Sequence, residues 1–217
     1  MNTISPLSLV RNPEVEQCAP SVEMLGAQVH GAVDDALGVV LGLASAPTAS
    51  YRQAERDLRD AVFVIGRALI VLFLGLREEH VMAAHRAAHG TRYQGMFRTL
   101  RQAPPIARNL TTMFGVVRYF RSYLREVKKS DRHGMHPLDV SLGLTRDRIS
   151  WNVLMLAARL ATKMAFAEAR ATLGTFVPNA PSTEVIEKTV LGLGRHTAAF
   201  VEQAPAPQGD GEVLVIQ

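Results

Sequence analysis

Residues 113–121 of the chain read Met113-Phe114-Gly115-Val116-Val117-Arg118-Tyr119-Phe120-Arg121. Around this run, residues 106–123 alternate β-branched, aromatic and basic side chains, and Pro104-Pro105 ends any preceding helix. The pattern predicts a β-hairpin that turns at Phe114-Gly115. The other periodic segments are helical. We therefore expect a mainly α fold with a small β-hairpin, a helix-turn-helix-like C-terminal helical region and a terminal orphan β-strand.

The second strand of this hairpin has two chemically different faces. Side chains alternate across a strand, so two tyrosines and two arginines share one face with Val117, opposite a mixed face. Interleaved aromatic and guanidinium groups suit phosphate contacts and stacking on bases, although a half-buried edge strand shows the same pattern. The first face contains Val117, Tyr119, Arg121, Tyr123 and Arg125, and the second contains Arg118, Phe120, Ser122 and Leu124.

Positive charge is concentrated in one stretch of the chain. The formal net charge is only +4, but residues 85–132 hold eleven Lys or Arg against two Asp or Glu. Such clustering is typical of a phosphate-binding surface, and a solvated face that maintains solubility is the alternative. The cations are Arg86, Arg92, Arg98, Arg101, Arg108, Arg118, Arg121, Arg125, Lys128, Lys129 and Arg132.

Residues 48–103 are predicted to be a helical region. Ser50 is a suitable N-cap, and apolar residues then recur at three- and four-residue spacing along one face that we expect to pack on a core. The apolar run 61–76 is shorter than the roughly 20 residues of a spanning helix and contains Arg67, which favours a buried soluble helix over a membrane anchor. The predicted face contains Ala54, Leu58, Ala61, Ile65, Leu69, Leu72 and Leu76.

Residues 1–47 are predicted to be a loosely structured N-terminal arm with at most one weak helix, because four glycines interrupt the stretch from Val22 to Ala46. Met1 to Ser8 lack the pattern of a secretory signal. Cys18 is the only cysteine, which excludes an internal disulfide and fits a reducing, cytoplasmic location.

The polar loop from Lys128 to His136 closes a basic β-hairpin and loop region over residues 104–136. His133, His136 and Asp139 lie close enough in sequence to form a metal triad or a small catalytic group. Three potential ligands without a cysteine or a fourth partner fit zinc spacing poorly, so structural or solvated roles are favoured.

Residues 137–204 are predicted to be a helical, helix-turn-helix-like region. Ser150 caps a helix that ends near Leu173-Gly174, and Ser182 caps a second helix after a Pro-containing turn. In a helix-turn-helix, Thr183 and Lys188 would face a major groove, although the nearby glutamates would oppose phosphates and plain helical hairpins share this outline. Residues 205–217 are expected to be a linker followed by a strand, Val213–Ile216.

The order of several short motifs resembles the N-terminal half of Mutator-like bacterial insertion-sequence transposases, over roughly residues 50–217. No single motif is diagnostic, but the series together is moderately specific. The motifs are residues 113–121 quoted above, His136-Pro137-Leu138-Asp139, Leu142-Gly143-Leu144, Met164-Ala165-Phe166-Ala167-Glu168-Ala169, Pro181-Ser182-Thr183-Glu184, Gly192-Leu193-Gly194 and Gly211-Glu212-Val213-Leu214-Val215-Ile216.

The resemblance implies that Val213–Ile216 is the first strand of a ribonuclease-H-like catalytic domain of the DDE type. In that family, three acidic residues hold two divalent ions for cleavage and strand transfer. This sequence stops before the first of them, so we expect a truncated product with no catalytic residue, no enzymatic activity and no cofactor of its own. Many relatives carry a Cys-rich knuckle where this chain has residues 128–136, which lack cysteine.

The expected function is therefore that of a DNA-binding N-terminal fragment of a transposase, acting in DNA recombination and transposition of an insertion sequence. The expected partners are double-stranded DNA and a homo-oligomer, with no membrane. A non-catalytic helical structural or protein-interaction module is the alternative. The predicted DNA-binding residues are Arg118, Arg121, Arg125, Lys128, Lys129, Ser182, Thr183 and Lys188.

Overall fold

The structure is a computed structural model that describes residues 19–89, 92–95, 98–126, 134–144, 147–195 and 202. The protein is mainly α with a β-hairpin, as the sequence predicts. The elements are α1 (Val22–Ser45), α2 (Tyr51–His89), β1 (Arg92–Gly95), β2 (Arg98–Thr112), β3 (Gly115–Glu126), β4 (Gly134–Met135), α3 (Pro137–Leu142), α4 (Trp151–Ala161), α5 (Phe166–Phe176) and α6 (Thr183–Gly194).

The chain divides into two compact units. The first contains Met1–Leu110 and Val116–Arg148, and the second contains Thr111–Gly115 and Ile149–Gln217. The four strands form one sheet in the order β1-β2-β3-β4, with β1 antiparallel to β2 and β3 antiparallel to β4. The central pair is the predicted hairpin, and the sheet extends it by one strand on each side.

The hairpin turns tightly at Met113 and Phe114. Gly115 follows at φ 106°, a backbone conformation that is nearly restricted to glycine. The Thr112 hydroxyl donates to the Gly115 carbonyl at 2.8 Å and accepts from the Phe114 amide at 3.2 Å. This side chain therefore satisfies backbone groups that the turn leaves out of the ladder.

In the first unit, α1 is a complete helix rather than the loosely structured arm expected for residues 1–47. Ser21 caps it by accepting from the Met24 amide at 3.2 Å, and Leu25 and Ala32 are buried where the helix packs on α2. Packing of an apolar stripe outweighs the low helix propensity of the glycines. Residues 1–18 lie outside the described part of the chain.

Helix α2 begins at its predicted N-cap, since Ser50 accepts from the Gln53 amide at 3.2 Å. Its predicted core-facing stripe is only partly covered: Leu58, Leu69 and Leu76 are exposed, and the buried contacts to the sheet come instead from Leu74 and Met82. Periodicity shows that a face is apolar but not which neighbour covers it. Among the described residues, no helix combines the length and the apolar content that crossing a bilayer requires.

The core of the first unit lies where the hairpin meets α2 and α3. Leu74 of α2 and Leu138 of α3 pack with three side chains of the hairpin, Leu110, Val117 and Tyr119. Helix α2 is also bonded to β3, because the Ser122 amide donates to Glu78 Oε1 at 2.7 Å. The strand is thus fixed from the helical side, which positions its remaining side chains.

The second unit contains α4, α5 and α6 around a core that includes Val153, Leu173 and Ile186. The single helix predicted from Ser150 to Leu173-Gly174 is wrong, because the chain leaves the helix after Ala161 and begins α5 at Phe166. The break allows both halves to face one core, which a straight helix could not do. Ser150 and Ser182 are N-caps as predicted, accepting from the amides of Val153 and Val185.

The helix-turn-helix interpretation concerns α5 and α6. Residues 177–182 connect them, a longer link than the three to four residues of the DNA-binding motif. The turn contains Asn179 at φ 58°, a conformation that asparagine tolerates. The similarity to a helix-turn-helix stays a prediction. The predicted strand Val213–Ile216 lies outside the described residues.

Candidate functional site

The first unit contains an open groove with a volume of about 930 Å³, bordered by β2, β3, β4 and α3. Four arginines line it, and Asp139 is the one acidic residue among the described residues of its lining. The groove therefore has an excess of positive charge. The arginines are Arg108, Arg118, Arg121 and Arg148.

Asp139 organises the inner wall of this groove. Its Oδ2 accepts from Arg108 Nη1 at 2.7 Å and is also paired with Arg121 Nη1, while the Tyr119 hydroxyl donates to Oδ1 at 3.1 Å. The side chains of Arg108, Asp139 and Arg121 are only 6%, 13% and 16% exposed. Pro137 in the first turn of α3 fixes the start of the helix and so places this carboxylate.

Strand alternation explains how charged groups reach the interior. Arg108 follows the same β2 face as the buried Leu110, and Arg121 follows the same β3 face as the buried Val117 and Tyr119. Burial raises the pKa of Tyr119, which keeps its hydroxyl protonated as a donor to Asp139. Burial also lowers the pKa of Arg121, whose guanidinium nevertheless stays charged because free arginine is so basic.

The buried cluster contains two guanidinium groups that share the Asp139 carboxylate, and the Glu78 carboxylate of α2 also acts electrostatically on Arg121. Arg121 Nε is buried and has no hydrogen-bond acceptor among the described residues. The excess of arginine over acidic residues in the groove lining favours a negative group in the groove.

Two aromatic rings form another part of the groove lining. The rings of Tyr123 and His136 are 5.0 Å apart with a tilt of 42°. His136 Nδ1 donates to the Ser122 carbonyl at 2.9 Å. Burial, reinforced by the positive charges of Arg121 and Arg108, lowers the pKa of His136 despite this bond, so the ring is neutral at pH 7.

Gly134 makes this arrangement of rings possible. A Cβ added to residue 134 would collide with the Tyr123 ring. Leu124 and Arg125 of β3 pair with Met135 and Gly134 of β4, which fixes the position of the strand. Glycine is thus required here by close approach rather than by its backbone angles.

Arg148 lies at the edge of the groove and is exposed. Its φ of 53° is uncommon for a residue with a side chain and usually reflects local constraint. Its positive charge acts on Arg121, lowering the pKa of that group slightly further. It extends the cationic wall from the buried cluster to the solvent.

The predicted DNA-binding residues separate into several groups. Arg118 and Arg121 both line the groove, but Arg121 is also paired with Asp139. Arg125 belongs to β3, but its side chain lies outside the described part of the structure. Lys128 and Lys129 lie outside the described residues entirely. Three predicted residues belong to the second unit: Ser182 caps α6, Thr183 begins it, and Lys188 is exposed on it.

Sequence reasoning placed Arg108 in the basic stretch and Tyr119 on one strand face with Arg121, but it did not bring them together with Asp139 and Arg148 in one site. Alternation with Leu110 was a signal that Arg108 points inward. Nothing local could show that Asp139, 31 residues away, would meet it. The sequence around Arg148 gives no indication that this residue belongs to the site, because Arg148 lies in no periodic segment.

His133, His136 and Asp139, which the sequence offers as a metal triad but which fit zinc spacing poorly, are only partly described. His133 lies outside the described residues, while His136 bonds to a backbone carbonyl and Asp139 to two arginines. No group of three or more His, Cys, Asp or Glu side chains among the described residues is placed to hold a metal ion.

Comparison with known proteins adds no family to this picture. The chain matches no family model, no curated protein and no solved structure.

Proposed function

We propose that this chain binds double-stranded DNA through the arginine-lined groove of its first unit. The observation that carries the proposal is that, among the described lining residues, four guanidinium groups and a single carboxylate border one open groove beside the Tyr123 and His136 rings. Guanidinium groups bind phosphate oxygens through paired, charge-assisted hydrogen bonds. A groove open to solvent suits a continuous polyanion.

The buried ion pairs support this function by fixing the arginines in advance. Arg108 and Arg121 are held by Asp139, so their side-chain entropy is already lost before a ligand arrives. The groove lining keeps an excess of positive charge because it also contains Arg118 and Arg148. Phosphate contacts of this kind give affinity and orientation without reading sequence.

The resemblance of residues 50–217 to the N-terminal half of insertion-sequence transposases supports DNA as the polyanion. On this proposal the chain is a non-catalytic, DNA-binding portion of a transposase-like protein, located in the cytoplasm. Thr183 and Lys188 on α6 are then candidates for a second contact to DNA.

A salt-dependent gel-shift titration with duplex DNA tests the proposal. We expect the logarithm of the association constant to fall linearly with the logarithm of salt concentration. Arg148→Gln should reduce the magnitude of that slope by about 1, as expected for one lost phosphate contact. Arg148 is the best target because it is exposed and lies outside the buried cluster.

Arg56→Gln is the matched control, since Arg56 is an exposed arginine of α2 that does not line the groove. It removes the same charge and should leave the slope nearly unchanged. No binding at low salt, or equal effects of the two substitutions, would show that the groove is not a DNA-binding surface.

The alternative, a helical protein-interaction module, is favoured by one observation of its own. The α1–α2 pair exposes many large apolar side chains, which usually marks an interaction surface. This surface is compatible with DNA binding, because none of the described residues of α1 or α2 lines the groove.

A further inference from the structure

Tyr123 and His136 form a pair of rings that contacts to duplex phosphates do not use. Both side chains line the arginine-lined groove, and both are partly exposed. Their ring centroids are 5.0 Å apart, which is within the range of interacting aromatic side chains. The bases of a duplex are stacked on each other, so only an unpaired base can lay its face on such rings.

The two rings are held in position before any ligand binds. His136 Nδ1 donates to the Ser122 carbonyl at 2.9 Å, and the residues next to the two rings pair across β3 and β4. Gly134 of β4 packs against the Tyr123 ring, because an added Cβ there would collide with it. These contacts leave little side-chain entropy for the rings to lose when a base stacks on them.

The rings lie close to the buried arginines of the groove. Burial lowers the pKa of His136, and the positive charges of Arg121 and Arg108 lower it further, so both guanidinium groups act at short range on this ring. The groove therefore combines a cationic wall with aromatic rings. Proteins that bind single-stranded nucleic acid use the same combination, with cations along the backbone and rings against the bases.

The arginines of the groove lie at two depths. Arg118 and Arg148 are exposed, whereas the side chains of Arg108 and Arg121 are only 6% and 16% exposed. Phosphates on the outside of a duplex reach the exposed pair, but only a thinner group that enters the groove reaches the enclosed pair. An unpaired strand is thin enough to enter.

The size of the groove also fits an unpaired strand. Its volume of about 930 Å³ is near the upper end of the roughly 300 to 1,000 Å³ of pockets that enclose a small molecule. A nucleotide is of small-molecule size, whereas a base-paired duplex is much wider. Because the groove is open to solvent, the strand can continue beyond it.

From these observations we infer that the groove takes an unpaired strand segment at the end of a DNA duplex, with a base stacked on the Tyr123 and His136 rings. The duplex phosphates contact the exposed arginines, and the backbone of the unpaired segment passes along the enclosed pair. This inference rests on the proposed function, since it names the form of DNA that the groove prefers.

Fluorescence anisotropy with three DNAs at one salt concentration tests the inference. All three share one duplex: the first is blunt, the second has an overhang of about six nucleotides, within the site sizes of single-strand-binding folds, and the third has the same overhang without bases. The intact overhang should raise the affinity about tenfold above that of the blunt duplex, because stacking of one base contributes about that much. The abasic overhang has the same phosphates and should lose most of this gain.

Variants of Tyr123 test whether its ring carries the preference. Tyr123→Leu should bring the ratio of overhang to blunt affinity to about 1, whereas Tyr123→Phe retains the ring and should keep the ratio. Tyr51→Leu is the matched control, because Tyr51 is an 83% exposed tyrosine of α2 that does not line the groove. Circular dichroism establishes that each variant folds. If Tyr123→Leu does not fold, the intact and abasic overhangs on the wild type decide the question.

The outcomes separate this inference from the proposed function. Equal affinities for the intact and the abasic overhang, or no gain over the blunt duplex, would overturn the inference while duplex binding stands. A ratio that falls as far in Tyr51→Leu or in Tyr123→Phe as in Tyr123→Leu would overturn it too. If none of the three DNAs binds at low salt, the proposed function fails and the inference fails with it.

Discussion

Asp139 determines where two arginines of the basic stretch point. Without a carboxylate partner, guanidinium groups as enclosed as those of Arg108 and Arg121 would be strongly unfavourable. With it, both guanidinium groups are held in place at the wall of the groove.

We predict that Asp139→Ala lowers the free energy of unfolding by about 3 to 5 kcal/mol, because it leaves two buried guanidinium groups without their shared partner. Urea unfolding followed by circular dichroism measures the change. Asp60→Ala, which removes the exposed pair with Arg59 at 3.5 Å, should cost at most about 1 kcal/mol. Similar losses for both variants would contradict a structural role for the cluster.

At the scale of single residues, the sequence predicts the chemical character of a surface better than it predicts which side chains contact each other. It indicates that Arg118 and Arg121 belong to a phosphate-binding surface, and both line the groove. It could not show that Arg121 meets Asp139, since that contact depends on how α3 packs against the sheet. Local alternation predicts a face, whereas an ion pair between distant segments requires the tertiary fold.

The hairpin is the element that brings the groove arginines together. Arg108 and Arg121 lie on its two neighbouring strands, and its turn depends on Gly115 at φ 106°. A side chain in that conformation crowds the following carbonyl, so the turn requires glycine at this position.

Gly115→Ala should destabilise the protein by about 1 to 3 kcal/mol, because alanine rarely adopts this backbone conformation. Thermal or urea unfolding measures the loss. Gly174→Ala on α5 provides the opposite control, since an added Cβ there meets nothing within 4 Å and alanine favours helix by about 0.5 to 1 kcal/mol. Equal effects at both positions would exclude the conformational explanation.

Elements with strong local signals are those that the sequence predicts well. Ser50, Ser150 and Ser182 all accept hydrogen bonds at helix starts as expected. The break between α4 and α5 was missed, because apolar spacing continues across Thr162 to Ala165 and only packing on a common core ends the helix. Helix α1 was underestimated for the same reason, since its stability comes from α2.

On the scale of the whole molecule, the chain has two separate main cores. Leu138 is fully buried in the first unit and Leu173 in the second, and each belongs to its own cluster. The only tryptophan, Trp151, belongs to the second unit. Its fluorescence therefore reports that unit, while α1 and α2 dominate the helical signal of the first.

We predict that the two units unfold in distinct steps. Leu173→Ala should lower the stability of the second unit by about 2 to 5 kcal/mol and shift the Trp151 fluorescence transition to lower urea. Leu138→Ala should instead shift mainly the circular dichroism transition. If both substitutions moved one coincident transition by the same amount, the chain would unfold as a single cooperative unit.

The crowding of Gly134 by the Tyr123 ring has a consequence for sequence variation. The ring fills the volume that even a methyl group at position 134 needs, so the two positions are coupled sterically. A larger residue at position 134 is tolerated only if a smaller residue replaces Tyr123. A homologue with a larger residue at position 134 should therefore have lost the tyrosine as well.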